Sequence, residues 1–208
     1  DIGAYSFGIQ VTNTSDSNSV GSGSLRAAIN LANTTPGNDQ IRFNLTGLNT
    51  IMLGSALPTI IDASTGVGSG TAGTVTITGL GASLLTIDGN NGDFSIFSIA
   101  SGGNLSISGV TVSGANTSGN GGAFNNAGTL AVSISTISGN SAISKGGGFY
   151  NQGNLFISNS VITGNAVTGW TGLMYGGGIY NGNTGSLFIA NTTISSNSSA
   201  THAGGISN

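Results

Sequence analysis

The chain contains no cysteine and no glutamate, and only 4% of its 208 residues are charged. The missing cysteine excludes disulfides and thiolate metal ligation. The scarcity of charge says more, because ordinary soluble domains are about 25% charged. Three basic residues, Arg26, Arg42 and Lys145, stand against six aspartates, for a net charge of −3. That balance argues against nucleic acid as a partner, since phosphate neutralisation needs clustered Lys and Arg. No apolar run approaches the roughly 20 residues that cross a bilayer as a helix, so no membrane span is expected. Catalysis on an acidic polysaccharide needs several charges converging on one face, yet residues 100–208 hold one Lys, one His and no carboxylate. No enzyme activity, cofactor or metal centre is expected.

What the chain does have is glycine, 38 residues of it, and a 37% hydrophobic content. Disordered chains combine low hydrophobicity with high charge, so something orders this one without ion pairs. The answer is a repeat. GGAFNN (121–126), GGGFYN (146–151), GGGIYN (176–181) and AGGISN (203–208) align without gaps, closing on Asn126, Asn151, Asn181 and Asn208 at spacings of 25, 30 and 27. A second block keeps the same phase. Leu105 and Ile107, Leu130 and Val132, Leu155 and Ile157, and Leu187 and Ile189 each precede a TISGN-like segment.

Within each repeat, apolar residues alternate over runs of four to six bounded by Gly, Asn and Ser, which is strand patterning. No run is long enough for the crossover helix of a conventional parallel sheet. The expected fold is all-β: a right-handed parallel β-helix (β-solenoid) of about 25-residue coils, each with three short strands. Coils stack about 4.8 Å apart, so the four closing asparagines should form a structural ladder of side-chain amides. A same-sign charge ladder at that spacing would repel itself, which accounts for the lack of charge.

The first third differs. GSLRAAINLAN places Ser24 as an N-cap, with Leu25, Ala28, Ile29 and Ala32 on one helical face. A short capping α-helix over about 24–34 is expected to cover the open end of the core. Strands should follow near 41–45, 50–53, 59–62, 74–78, 84–88 and 95–99. The expected organisation is an N-terminal strand at 1–10, a capping module at 11–63 and coils over 64–208. Repeats then run over about 104–128, 129–153, 154–185 and 186–208.

Three other places invite a functional reading. Between Asn165 and Gly176 the chain inserts AVTGWTGLMY, with Trp170, Leu173, Met174 and Tyr175; such insertions are often contact loops, and a folded-back lid is the bland alternative. Asp88 and Asp93 in DGNNGD hint at calcium but read better as a turn, lacking the other oxygen ligands. His202 reads as exposed or locally bonded. Ser/Thr ladders raise ice binding, but the positions mix Thr, Ser, Val and Ala. Finally, DIGAYSF has strand alternation ahead of a module already capped. Ile2, Ala4, Tyr5 and Phe7 are therefore expected to form an assembly strand closing the last coil of a neighbouring copy, one route to a filament.

GGAF with its GGGF and GGGI variants, paired with ISGN, ITGN and ISSN, resembles the repeats of secreted right-handed β-helix proteins of bacterial surfaces, such as the chlamydial polymorphic outer-membrane proteins. The stretch VTNTSDSNSVGSGSLRAAINLANTTPGNDQIRF is similar to the N-terminal module of that group, whose hallmark reads CSLREAI. Gly23 stands here for its Cys and Ala27 for its Glu. The resemblance implies an extracellular or cell-surface, non-catalytic structural or adhesive module. Its partners would be copies of itself, adjacent modules of a longer chain, or surface glycans. A glycan-binding or glycan-cleaving β-helix, or a passenger segment of a larger adhesin, is the alternative.

Overall fold

The computed structural model describes residues 7–61, 73–169 and 174–208. The chain enters as β1 (Phe7–Val11), forms the helix α1 (Leu25–Ala32), and lays down β2 (Asp39–Phe43), β3 (Asn49–Met52), β4 (Val75–Thr78), β5 (Leu85–Asp88) and β6 (Phe97–Ile99). The first complete coil is β7 (Asn104–Ser108), β8 (Thr111–Ser113), β9 (Asn116–Thr117) and β10 (Phe124–Asn126). The second is β11 (Thr129–Ser133), β12 (Thr136–Ser138), β13 (Ser141–Ala142) and β14 (Phe149–Asn151). The third is β15 (Asn154–Ser158), β16 (Val161–Thr163), β17 (Ala166–Val167) and β18 (Ile179–Asn181). The last is β19 (Ser186–Ala190), β20 (Thr193–Ser195), β21 (Ser198–Ser199) and β22 (Ile206–Ser207).

Equivalent strands of successive coils pair in parallel, giving four sheets. Sheet I runs β1-β2-β4-β7-β11-β15-β19, sheet II β3-β5-β8-β12-β16-β20, sheet III β9-β13-β17-β21, and sheet IV β6-β10-β14-β18-β22. The molecule is a parallel β-solenoid. The three strands expected per coil are four, because sheet III is made of two-residue strands. Each of the first three has a single inward side chain, Thr117, Ala142 or Val167, too few to show alternation. Of the strand expected at 59–62, the described residues form an isolated bridge, Ile60 to Ile99; Pro58 just before it has no N–H to offer a ladder.

Register puts like on like. Leu105, Leu130, Leu155 and Leu187 form one inward column, and Ile87, Val112, Ile137, Ile162 and Ile194 another. Phe97, Phe124 and Phe149 stack inside sheet IV with centroids 5.2 and 4.9 Å apart. The core is thus a set of axial columns, sealed by hydrophobic burial that repeats each rung. In these columns Leu155, Ile157 and Ile162 are fully buried, and Leu187, Ile189 and Ile194 half-buried.

At the other end α1 lies against β1 and β2 and buries Leu25, Ala28, Ile29 and Ala32 in the same core. Ser24 caps it by accepting from the Ala27 N–H at 3.1 Å. The helix is shorter than expected, ending at Ala32. There Thr34 and Thr35 turn their hydroxyls back onto the Leu31 carbonyl, and Gly37 takes positive φ. Phe7 to Gln10 pair with Asp39 to Arg42 of the same chain. This part of the expected inter-subunit strand is therefore the first rung of its own sheet I. The coil it completes is local, built by β2 across the helix.

Candidate functional site

The closing asparagines form a ladder at the turn from sheet IV into sheet I. The amide of Asn126 donates to Asn151 Oδ1 at 2.7 Å, Asn151 to Asn181 at 2.6 Å, and Asn181 to Asn208 at 2.7 Å. Each Nδ2 also reaches backbone carbonyls, Asn154 from Asn126, and Gly153 and Ser186 from Asn151. The Oδ1 atoms of Asn126 and Asn151 accept the turn amides of Gly128 and Gly153. Asn126, Asn151 and Asn181 are buried, while Asn208 is exposed. Their content is architectural: they satisfy polar groups that the tight turn leaves unpaired.

A second ladder runs at the turn from sheet II into sheet III. Asn140 donates its backbone N–H and its side-chain amide to Asn165 Oδ1 at 3.1 and 3.0 Å, and Asn165 does the same to Asn197 at 3.0 Å each. A third, of hydroxyls, joins the Ser135 backbone N–H to Ser160 Oγ at 3.2 Å. The Asn three residues after Ile137, Ile162 and Ile194 recurs visibly in the sequence. Nothing in the pattern alone tells a buried amide from a surface one.

The outer face of sheet IV carries a cluster of tyrosines. Tyr150 and Tyr180 stack at 5.5 Å with an interplanar angle of 8°. Lys145 Nζ lies 4.8 Å from the centre of the Tyr180 ring and 5.7 Å from that of Tyr175. Tyr175 in turn lies 5.7 Å from Tyr180 and 4.2 Å from the His202 ring, whose Nδ1 is 3.0 Å from Thr201 Oγ1. Of the expected contact loop, Tyr175 thus joins an outward cluster. Met174 does not: it is 5% exposed, and its backbone is tied to Thr201 and Ser199. Its side chain turns inward because the bridge from Lys145 to Tyr175 sets the strand alternation there. Trp170 and Leu173 lie outside the described residues, as do Ile2, Ala4 and Tyr5.

Asp88 accepts the Asn90 N–H at 2.6 Å and the Ser113 hydroxyl at 3.3 Å, and Asn90 and Asn91 both take positive φ. The backbone N–H and then the hydroxyl of Ser118 hold the Asp93 carboxyl below its ordinary range. Asp88 thus caps its own turn, whereas both carboxylates also reach a serine one coil on, 25 residues away.

Charge does its work at the cap. Arg26 is buried, forming a bidentate pair with Asp16 at 2.7 and 2.9 Å and donating to the carbonyls of Ser55 and Ala56 at 2.7 and 2.5 Å. Asp16 also accepts the Gly54 N–H at 2.8 Å. This clamp ties α1 to the 54–56 segment. Gly23, which departs from the resembled hallmark, has φ +73°, and a Cβ there would run into Thr12 Oγ1. Cysteine does not fit that backbone. Beside it, β1 and α1 border a groove of about 500 Å³ lined by Ile9, Gln10, Thr12, Val20, Ala27 and Leu31 among others, none of them ionisable.

Comparison with known protein families, with curated proteins and with solved structures finds no match for this chain.

Proposed function

We propose that this chain is a non-catalytic structural or adhesive β-solenoid module of an extracellular or cell surface, stacked with copies of itself or with adjacent modules of a longer chain. The observation that carries this reading is the stacking of the coils themselves: equivalent strands pair in parallel, like residue over like, and asparagine ladders run from rung to rung. A parallel rung pairs most readily with another of its own kind. Such a contact, of one face of a rung with the opposite face of the next, is heterologous and propagates along an axis instead of closing. Resemblance to secreted β-helix surface proteins supports the location, and the absence of carboxylates after Asp93 supports a role without acid–base chemistry.

The test is electron microscopy with sedimentation of the purified chain over a wide concentration range. Axial filaments or concentration-dependent oligomers are expected. A strict monomer at every concentration, with the amides of β19 exchanging no faster than those of β15, would sink the stacking reading.

A further inference from the structure

We infer that the outward face around Lys145 binds carboxylate-bearing sugar units of an acidic glycan. This rests on the adhesive reading and gives it a ligand class.

The charge distribution makes the case first. Residues 1–93 hold six Asp and two Arg, a balance of −4, while residues 94–208 hold Lys145 alone, a balance of +1, together the −3 of the chain. No carboxylate occurs in the coils that surround this lysine, and the ion pair among the described residues is Arg26 with Asp16, at the cap. From residue 94 on the coils carry no Asp, Glu or Arg, yet they keep this one lysine on their outer face; the exposed Arg42 lies on β2, beside the cap. Lys145 is held over Tyr180 and Tyr175; a cation over a ring face keeps N–H donors for a further partner.

The neighbours define what that partner is. Tyr150 and Tyr180 stack on each other, which closes one face of each ring to a ligand and leaves their edges and hydroxyls on offer. Gln152 Nε2 donates to Tyr150 Oη at 2.9 Å and Thr184 Oγ1 donates to Gln152 Oε1 at 3.0 Å. His202 rests on Tyr175 at the next rung. The surface thus offers the Lys145 ammonium among hydroxyl, amide and imidazole groups. A polyphosphate or nucleic acid needs several cations to be neutralised. A sugar with a single carboxylate among hydroxyls matches one cation among hydrogen-bonding neighbours, and its charge-assisted bond to Lys145 is the strong contact. With one such lysine per module, binding to a polymer strengthens as modules stack, through effective concentration.

The experiment is calorimetric titration of the chain with oligosaccharides bearing galacturonate, glucuronate or sialate, and with their neutral counterparts, at low and at physiological salt. At least one acidic oligosaccharide should bind at least tenfold more tightly than its neutral counterpart, and the preference should fall as salt rises. Lys145→Met should abolish the preference at an unchanged melting temperature, and Lys145→Arg should keep it. Absence of any acidic preference, equal binding of neutral sugars, or full binding by Lys145→Met would overturn the inference. Filaments without acidic-sugar binding overturn this inference alone. Binding by a strict monomer overturns the stacking reading and leaves this one standing.

Discussion

The two ends of this solenoid are stabilised by different physics. From β1 to β3 the structure depends on an amphipathic helix, a buried ion pair and side-chain contacts that occur once. From β7 to β22 it depends on columns of identical residues with almost no charge. A ladder needs a repeat, because an amide can satisfy the amide above only if the same residue recurs in register. A cap has no rung beyond it to copy, so its polar groups must be satisfied by unlike partners. Arg26 answers four such needs at once, two Asp16 oxygens and two loop carbonyls.

The contrast breaks hardest at that residue. Removing one partner of a buried ion pair leaves the other charge uncompensated, and typically costs about 3–5 kcal/mol. Arg26→Met should lower stability by that order in denaturant unfolding. Hydrogen exchange should then show β1 to β3 losing protection while β11 and β15 keep theirs. Equal loss over all coils would mean that the cap and the repeats are one cooperative unit.

A second asymmetry lies in one column. Sheet I places Asp39 beneath Val75, Leu105, Leu130, Leu155 and Leu187, a carboxyl where every later rung has an aliphatic side chain. It is 2% exposed, and its Oδ1 has no hydrogen-bond partner among the described residues. Burial pushes its pKa from 3.8 up to about 6. Below pH 3.8 the carboxyl is neutral in folded and unfolded chains alike, and there is no penalty. Between 3.8 and 6 the unfolded chain releases the proton first, so stability falls as pH rises, and above 6 the whole loss is present. At about 1.4 kcal/mol per pH unit the loss is at most about 3 kcal/mol. Asp39→Val should raise the melting temperature at pH 7.5 and leave it nearly unchanged at pH 3.5. A gain of the same size at both pH values would show that packing, not ionisation, sets the cost.

Within the repeats, the ladder can be compared with its own end. Asn151→Ala strands the Asn126 amide, the Asn181 carbonyl oxygen and the Gly153 N–H, and should cost about 2 kcal/mol. Asn208→Ala, at an exposed rung, should stay within about 0.5 kcal/mol. Equal effects at both positions, measured by thermal unfolding, would remove the distinction between buried and terminal rungs.

How far these features could be read in advance follows the same division. The coils were legible because GGGFYN and its cognates repeat. Alignment alone superposes Asn126, Asn151 and Asn181, and the register agrees residue by residue. Sheet III was not legible, since two residues cannot display a period. Nor was the Arg26 clamp, whose partners lie 10, 29 and 30 residues away with no second copy to align. Asp39 falls two residues before the strand expected at 41–45; only the parallel register reveals it as an inward position. The outward cluster was half visible. Tyr175 stood out in the insertion, but Lys145, Tyr150 and Tyr180 come from different coils and meet only when the coils stack.

Repetition also exposes its own local errors, and one of these gives the smallest effect. The corner between sheets I and II is turned by one residue at positive φ in each coil: Gly109 at 67°, Ile134 and Asn159 at 49°, Asn191 at 47°. Glycine has no Cβ to clash there, and asparagine tolerates the left-handed region. Isoleucine is β-branched and is among the worst residues for it. Ile134 gains little in return, being 63% exposed. Its backbone N–H is bonded to Ser158, as that of Asn159 is to Ala190, so the strained geometry is imposed by the stack. Ile134→Asn should therefore stabilise the protein by about 1 kcal/mol, in a chain whose substitutions mostly destabilise. Ile134→Gly should gain less, since glycine adds freedom to the unfolded chain. If both variants melt below the wild type, the exposed isoleucine is packing against something on the outer face, and the corner is not where the strain resides.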